Sequence, residues 1–159
     1  MIPCSEGRPP VIAVTAQYAV RALTELAALP AGASMGGRDL ARVAGIPQNY
    51  LSKILRTLGT AGMIDATRGT GGGYRLRRAP RTIALAEVVG LFDPARRAAD
   101  CLLDAAHPCS EATACAAHDT WRDIKAAYVA FLETTTLATL ATSHRRIRRA
   151  GRTRRPRTK

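Results

Sequence analysis

Leu40-Ala41-Arg42-Val43-Ala44-Gly45-Ile46-Pro47-Gln48-Asn49-Tyr50-Leu51 contains two short apolar-periodic segments separated by a glycine and a proline. The first stops at Gly45, a residue that readily takes the left-handed conformation closing a helix. Pro47 stands where a new helix would begin, because its missing N–H costs nothing in a first turn. The second helix is predicted over Gln48 to about Ala61. Leu51, Ile54, Leu55 and Leu58 fall at i, i+3, i+4 and i+7, one stripe of a 3.6-residue period. Gln48, Asn49, Ser52, Lys53 and Arg56 are left on the outer face. Two short helices joined by a tight glycine-containing turn, the second polar outside, read as a helix-turn-helix.

Downstream, Gly62 ends the helix and Met63-Ile64-Asp65-Ala66-Thr67 is short and strand-like. Arg68-Gly69-Thr70-Gly71-Gly72-Gly73-Tyr74-Arg75-Leu76 then places four glycines within five residues, between two candidate strands. Glycines let a hairpin tip take positive φ and let its backbone approach another surface closely. A tip flanked by Arg68 and Arg75 suits a minor groove, where cations meet negative potential. A phosphate cradle would need a Lys-Ser/Thr pair after the last glycine and a following helix N-terminus, and the segment has neither. A merely flexible hairpin is the plain alternative.

Upstream, a first helix is expected from Thr15 to Leu29, with Tyr18 and Arg21 near its start and Pro30 and Gly32 breaking it. Residues 1–10 read as an irregular leader. Ile83 to Phe92 is a short amphipathic helix ended by Asp93-Pro94. Residues 93–118 are less regular, and a long helix is predicted from Asp119 to about Thr142. Trp121, Ile124, Tyr128, Leu132 and Thr135 mark its stripe, continued by Leu137 and Leu140. So long an amphipathic helix exceeds what a small domain covers, and its simplest partner is a second copy in a two-fold arrangement. The fold class is therefore mainly α: a winged helix-turn-helix over residues 11–92, a cysteine-bearing loop over 93–118 and a dimerisation helix over 119–143.

Charge is unevenly spread over the 159 residues. Of 24 Lys and Arg, nine lie after residue 143 with no acid among them, so residues 1–143 hold 15 basic against 12 acidic side chains. The tail, 144–159, is expected to be disordered, because a like-charge run buries too little to offset its ordering entropy. Arginines near DNA release counterions and raise affinity without reading sequence; a passive solubilising tail is the alternative. A membrane role is disfavoured because the tail lacks an apolar face. No secretory signal or membrane span is visible, so a cytoplasmic chain with reduced cysteines is expected.

Cys101, Cys109 and Cys115 are spaced C-x7-C-x5-C, and His118 follows the last by three residues. Clustered thiols in such a protein point to a metal. Tetrahedral zinc and iron clusters both want thiolate ligands. Structural zinc uses tight C-x2-C knuckles that are absent here, and a wide loop fits a larger cluster better. His118 is either a fourth ligand or a cap on the following helix. Buried apolar cysteines are the plain alternative, and Cys4 reads as a bystander. A metal-free thiol sensor and a zinc-stapled regulator also remain open. A thiol oxidoreductase lacks its C-x2-C pair ahead of a helix, so a regulator rather than an enzyme is expected.

Together these residues resemble the IscR/NsrR family of winged-helix regulators, over about Tyr18 to Leu140. The resemblance is most specific in Ile46-Pro47-Gln48-Asn49-Tyr50-Leu51, in Leu58 through Ala61-Gly62-Met63-Ile64, and in Arg68-Gly69-x-Gly71-Gly72-Gly73-Tyr74-Arg75-Leu76. It implies a homodimer on a palindromic double-stranded DNA operator, with recognition helices in successive major grooves and hairpins in the minor groove. It also implies a [2Fe-2S] or [4Fe-4S] iron–sulfur cluster on Cys101, Cys109 and Cys115, sensing redox state, nitric oxide or cluster supply. In the assembly regulator the fourth ligand is a histidine placed like His118; some nitric-oxide sensors use an aspartate of the partner's first helix, where this chain has Gln17. The x7 gap resembles those sensors. Gln48, Asn49, Ser52 and Lys53 are expected to face bases, and Tyr50 and Arg56 to contact phosphates. Arg21, Arg68, Gly69, Gly71, Gly72, Gly73, Tyr74 and Arg75 complete the expected DNA contacts.

Overall fold

The computed structural model describes residues 12–69, 71–93 and 110–153. In chain order the elements are α1 (Val14–Ala27), α2 (Gly37–Ala44), α3 (Gln48–Thr60), β1 (Ile64–Thr67) and β2 (Gly73–Leu76). A 3-10 turn (Pro80–Thr82), α4 (Leu85–Phe92), a second 3-10 turn (Glu111–Thr113), α5 (His118–Thr134) and α6 (Leu137–Thr153) follow. Mainly α architecture with one small hairpin agrees with the sequence pattern. No helix among the described residues is long and apolar enough to cross a membrane.

The core gathers around α1. Ala19, Ala22 and Leu23 are fully buried with Leu40 of α2, Leu58 of α3, Val88 of α4, Ile83 and Leu137. Alanines on α1 bring neighbouring backbones close, and each fully buried leucine contributes about 1.5–3 kcal/mol relative to exposure. The α3 stripe is buried as predicted, at Leu51, Ile54, Leu55 and Leu58.

Gly45 closes α2 in the left-handed conformation, φ 60°, with its N–H directed to the carbonyls of Ala41 and Arg42. Ile46 N–H donates to Ala41 O at 2.9 Å, completing the helix stop. Pro47 precedes α3 as its N-cap, the helix beginning at Gln48 as predicted, and its carbonyl accepts from Tyr50 and Leu51 at 3.0 Å each. Gly45→Ala forces a side chain into left-handed backbone and is expected to cost about 1–2 kcal/mol. The midpoint of urea unfolding should fall with an unchanged slope. The nearby Arg21 guanidinium, whose nitrogen lies 2.7 Å from where the new Cβ would be, is the end of a flexible chain and swings aside.

The hairpin pairs Ile64 with Leu76, Asp65 with Arg75, Ala66 with Tyr74 and Thr67 with Gly73. It is also docked. Met35 and Tyr74 exchange backbone hydrogen bonds of 3.0 and 2.9 Å, joining the hairpin to the segment ahead of α2. At the start of α4, Glu87 accepts from Ala84 N–H at 3.1 Å and from Arg78 at 2.7 Å. The Arg78 hydrogen bond holds the Glu87 carboxyl below its ordinary value, with the Ala84 hydrogen bond and the Arg78 charge adding to it against partial desolvation.

Two expectations need correction. The long helix predicted from Asp119 to about Thr142 is broken at Thr135–Thr136, giving α5 and α6. Thr134-Thr135-Thr136 is a β-branched run with low helix propensity. Its backbone pairs elsewhere: Leu85 N–H donates to Thr135 O at 2.8 Å, and Leu137 N–H to Ile83 O at 3.1 Å. Thr136 then caps α6, its hydroxyl oxygen 3.4 Å from Thr139 N–H. Leu137 and Ala141 are consequently buried in the core beside α1 instead of extending the α5 stripe. The second correction concerns the basic end of the chain. Residues 144–153, expected as the start of a disordered tail, are the second half of α6. Ile83 likewise lies ahead of α4, in the extended segment that pairs with the break.

Candidate nucleic-acid interface and cysteine turn

α3 turns Gln48, Asn49, Tyr50, Ser52, Lys53 and Arg56 outward, and all six are exposed. The same helix buries its other face, so these side chains are carried on a fixed rod. Ser52 donates to Gln48 O at 3.1 Å, a local bond that leaves its oxygen free to accept. Tyr50, 54% exposed at the N-terminal end of α3, meets the Tyr18 ring edge-on with centroids 6.1 Å apart. Arg21 lies over the Tyr18 ring, 5.8 Å from its centroid, beside the Gly45 turn. Arg21 thus joins the entrance of the helix-turn-helix from a different helix. Tyr18 was not among the expected contacts. Its i, i+3 spacing to Arg21 on α1 was the available signal.

The wing tip exposes Arg68, Gly69 and Gly71. Gly69 and Gly71 have φ of 101° and 81°, conformations that disfavour any side chain. Gly72 N–H donates to Gly69 O at 2.9 Å, and a Cβ on Gly72 would collide with the carbonyl oxygen of Thr67. Ser34 donates to Gly71 O at 3.1 Å, tying the tip to the loop before α2. Tyr74 is half-buried, its ring against Gly37, where a Cβ would stand 3.4 Å away. Arg75 is drawn along the hairpin toward Asp65 at 3.8 Å, and Arg77 binds the same carboxylate at 2.8 Å. The tip cation is therefore Arg68, with Arg75 set further back.

Cys101 and Cys109 lie outside the described residues. Cys115 is half-buried, and His118 begins α5, its N–H donating to Cys115 O at 2.9 Å. One backbone turn thus sets Cys115 and His118 at the start of α5, two of the four expected ligands and of the right chemistry for a thiolate-rich centre. Among the described residues no three His, Cys, Asp or Glu side chains form a metal-holding group. Gln17 is committed otherwise, its amide donating to Ile12 O at 3.0 Å. Asp93, where the cysteine segment begins, accepts from Ala13 N–H at 2.8 Å at the start of α1.

An outward polar helix on a glycine-closed turn, with a docked glycine wing, defines a winged helix-turn-helix DNA-binding protein. The chain belongs to the Rrf2 family of iron-dependent transcriptional regulators, whose model matches residues 12–143. It is 37% identical over 127 residues to an HTH-type transcriptional regulator of Mycobacterium tuberculosis, covering 79% of this chain and 78% of that one. It is 31% identical over 128 residues to the HTH-type transcriptional regulator IscR of Vibrio parahaemolyticus, covering 80% and 75%. The fold also matches CymR, the global cysteine regulator of B. subtilis, with a TM-score of 0.71 at 23% identity over 83% of this chain and 96% of that one. The protein is a DNA-binding transcriptional regulator, and its relatives are named as regulators rather than enzymes.

Proposed function

We propose that this regulator acts in the cytoplasm as a homodimeric repressor on a palindromic operator, and that an iron–sulfur cluster on Cys101, Cys109, Cys115 and His118 sets its affinity. Gln48, Asn49, Ser52 and Lys53 read base edges in the major groove, where amide side chains pair bidentately with adenine. Arg21, Tyr50 and Arg56 fix the register on phosphates. Arg68 and the tip of Gly69, Gly71, Gly72 and Gly73 enter the minor groove, with Tyr74 and Arg75 behind them.

The observation that carries the regulatory part is the pair of anchors on the cysteine segment. Its first residue, Asp93, holds the start of α1, the helix that carries Tyr18 and Arg21. Its last, through Cys115 and His118, opens α5. Reordering the segment therefore pulls directly on the helix that borders the reading head. A coupling of about 1–3 kcal/mol is enough to change operator affinity 5–150-fold. When bound, a cluster on Cys101, Cys109, Cys115 and His118 would supply a redox- and nitric-oxide-reactive centre, and Asp93 is the residue of this segment that touches α1.

Anaerobic purification followed by an absorption spectrum and an iron and sulfide count tests this reading. Iron with matching sulfide supports a cluster, and the ratio gives its type. Zinc, or colourless protein that forms a reversible disulfide under peroxide, identifies the stapled or thiol-based alternative instead. Cys109→Ala is expected to leave a folded dimer with no chromophore and altered operator affinity. A full chromophore in that variant removes Cys109 from the ligand set.

A further inference from the structure

Helix α6 is held on the same rigid body as the reading helix. Leu137 and Ala141 are buried in the core shared with α1 and α2. Its middle turns are then latched to α1. Glu25, 7% exposed, accepts from Arg148 at 3.4 Å, and the buried His144 Nε2 lies 3.1 Å from its other carboxylate oxygen without hydrogen-bond geometry. Ser143, His144 and Ile147 share a cleft with Arg21 and with Val43 and Ala44 of α2. On the adjoining face of the same turns, Arg145 and Arg149 share a second cleft with Met35, the residue that holds the wing. The helix that was expected as a loose tail therefore lies fixed alongside the helix-turn-helix.

Its charge is one-sided. From Leu137 to Thr153 there is no acid, and Arg145, Arg146 and Arg149 are exposed within one arc of about 100°, given 100° per residue. Arg148 and His144 occupy the adjoining arc, turned to Glu25. The apolar residues of α6 are mostly spent on the core, so the arginine arc has no greasy face with which to enter a bilayer. B-DNA offers one phosphate per 1.7 Å or so of axis, and a duplex that occupies α3 and the wing continues past the half-site.

We propose that Arg145, Arg146 and Arg149 of α6 form an accessory DNA-binding surface that grips phosphates flanking the operator without reading sequence. It rests on the operator reading given above.

The test uses the full chain, a duplex selected by it from a random library, and a scrambled duplex of equal length. For R145A/R146A/R149A, which removes six arginines per dimer, the plot of log affinity against log salt is expected to become shallower by about 5, given a slope near 0.9 per phosphate neutralised. The loss should be equal on both duplexes, with the ratio between them unchanged and the lysine triple variant retaining most of the wild-type slope. Circular dichroism and solution mass confirm the fold. If the triple variant does not fold, R146A alone, two arginines per dimer, should lower the slope by about 1.8. An unchanged slope overturns the proposal. So does a loss confined to the selected duplex, or a loss seen only toward phosphatidylserine vesicles or a polyglutamate peptide, which reassigns the arc to a membrane or an acidic protein. Failure of wild-type protein to bind any duplex overturns the operator reading as well, whereas failure of the slope alone leaves that reading standing.

Discussion

Ile124→Glu combined with Phe131→Glu is expected to yield a folded monomer whose affinity for a two-half-site duplex is about 10²–10⁴-fold weaker, with half-site affinity unchanged. The two positions are seven residues apart on α5, hence on one face, and are 54% and 51% exposed. Among the described residues none of α5 is buried. Trp121, Tyr128 and Leu132 are only half-covered on the same helix. In the two-fold dimer proposed above, an apolar face of this length is met by its own copy, and charges placed opposite each other across such an axis repel. The affinity estimate follows from linkage. A second reading head on a dimer binds at millimolar effective concentration, so losing the link removes about two to four decades without touching any DNA contact. Sedimentation gives the mass, and titration of single and paired half-sites gives the affinities. A stable dimer from the double variant would place the interface elsewhere.

The helix-turn-helix was legible because its cues are local. Gly45 closes one helix, Pro47 precedes the next, and a four-residue apolar stripe sets which face is outward. The glycine tip was legible for the same reason. The break at Thr135–Thr136 was not. Leu137 and Leu140 stand where a continuing α5 stripe would place them, and period alone makes one helix of two. What separates them is non-local: the extended backbone finds its partners at Ile83 and Leu85, some fifty residues earlier in the chain. The triple threonine and the cap at Thr136 were the only local hints. Likewise nothing near Glu25 in sequence announces that its carboxylate will meet His144 and Arg148. That single pairing turned a run expected to repel itself into an ordered helix, because one buried acid and two buried apolar residues anchor it. Arg21 was expected among the DNA contacts from its sequence position alone, whereas its seat between Tyr18 and the Gly45 turn is a tertiary feature.

Gly73→Ala is the sharpest test of the wing. At Gly73 φ is 155°, and an added Cβ would lie 2.6 Å from both the carbonyl carbon and oxygen of Met35. Those are backbone atoms that cannot rotate away, so either β2 or the Met35 segment must move. Movement breaks the pair of Met35–Tyr74 hydrogen bonds, 3.0 and 2.9 Å long, and lifts the Tyr74 ring from Gly37. Two backbone hydrogen bonds at about 1 kcal/mol each, with backbone strain added, give an expected loss of about 2–4 kcal/mol. Gly71→Ala supplies the comparison. Its φ is 81° but nothing lies within 4 Å of the new Cβ, so it carries conformational strain without collision. A loss of about 1–2 kcal/mol is expected there. The two variants should therefore separate in chemical denaturation, Gly73→Ala lower. They should separate further on DNA, because an undocked wing presents Arg68 from a mobile hairpin and adds an ordering cost on binding. If Gly73→Ala matched Gly71→Ala in both stability and operator affinity, docking on Met35 would not be what aims the wing, and the minor-groove role would have to rest on the tip alone.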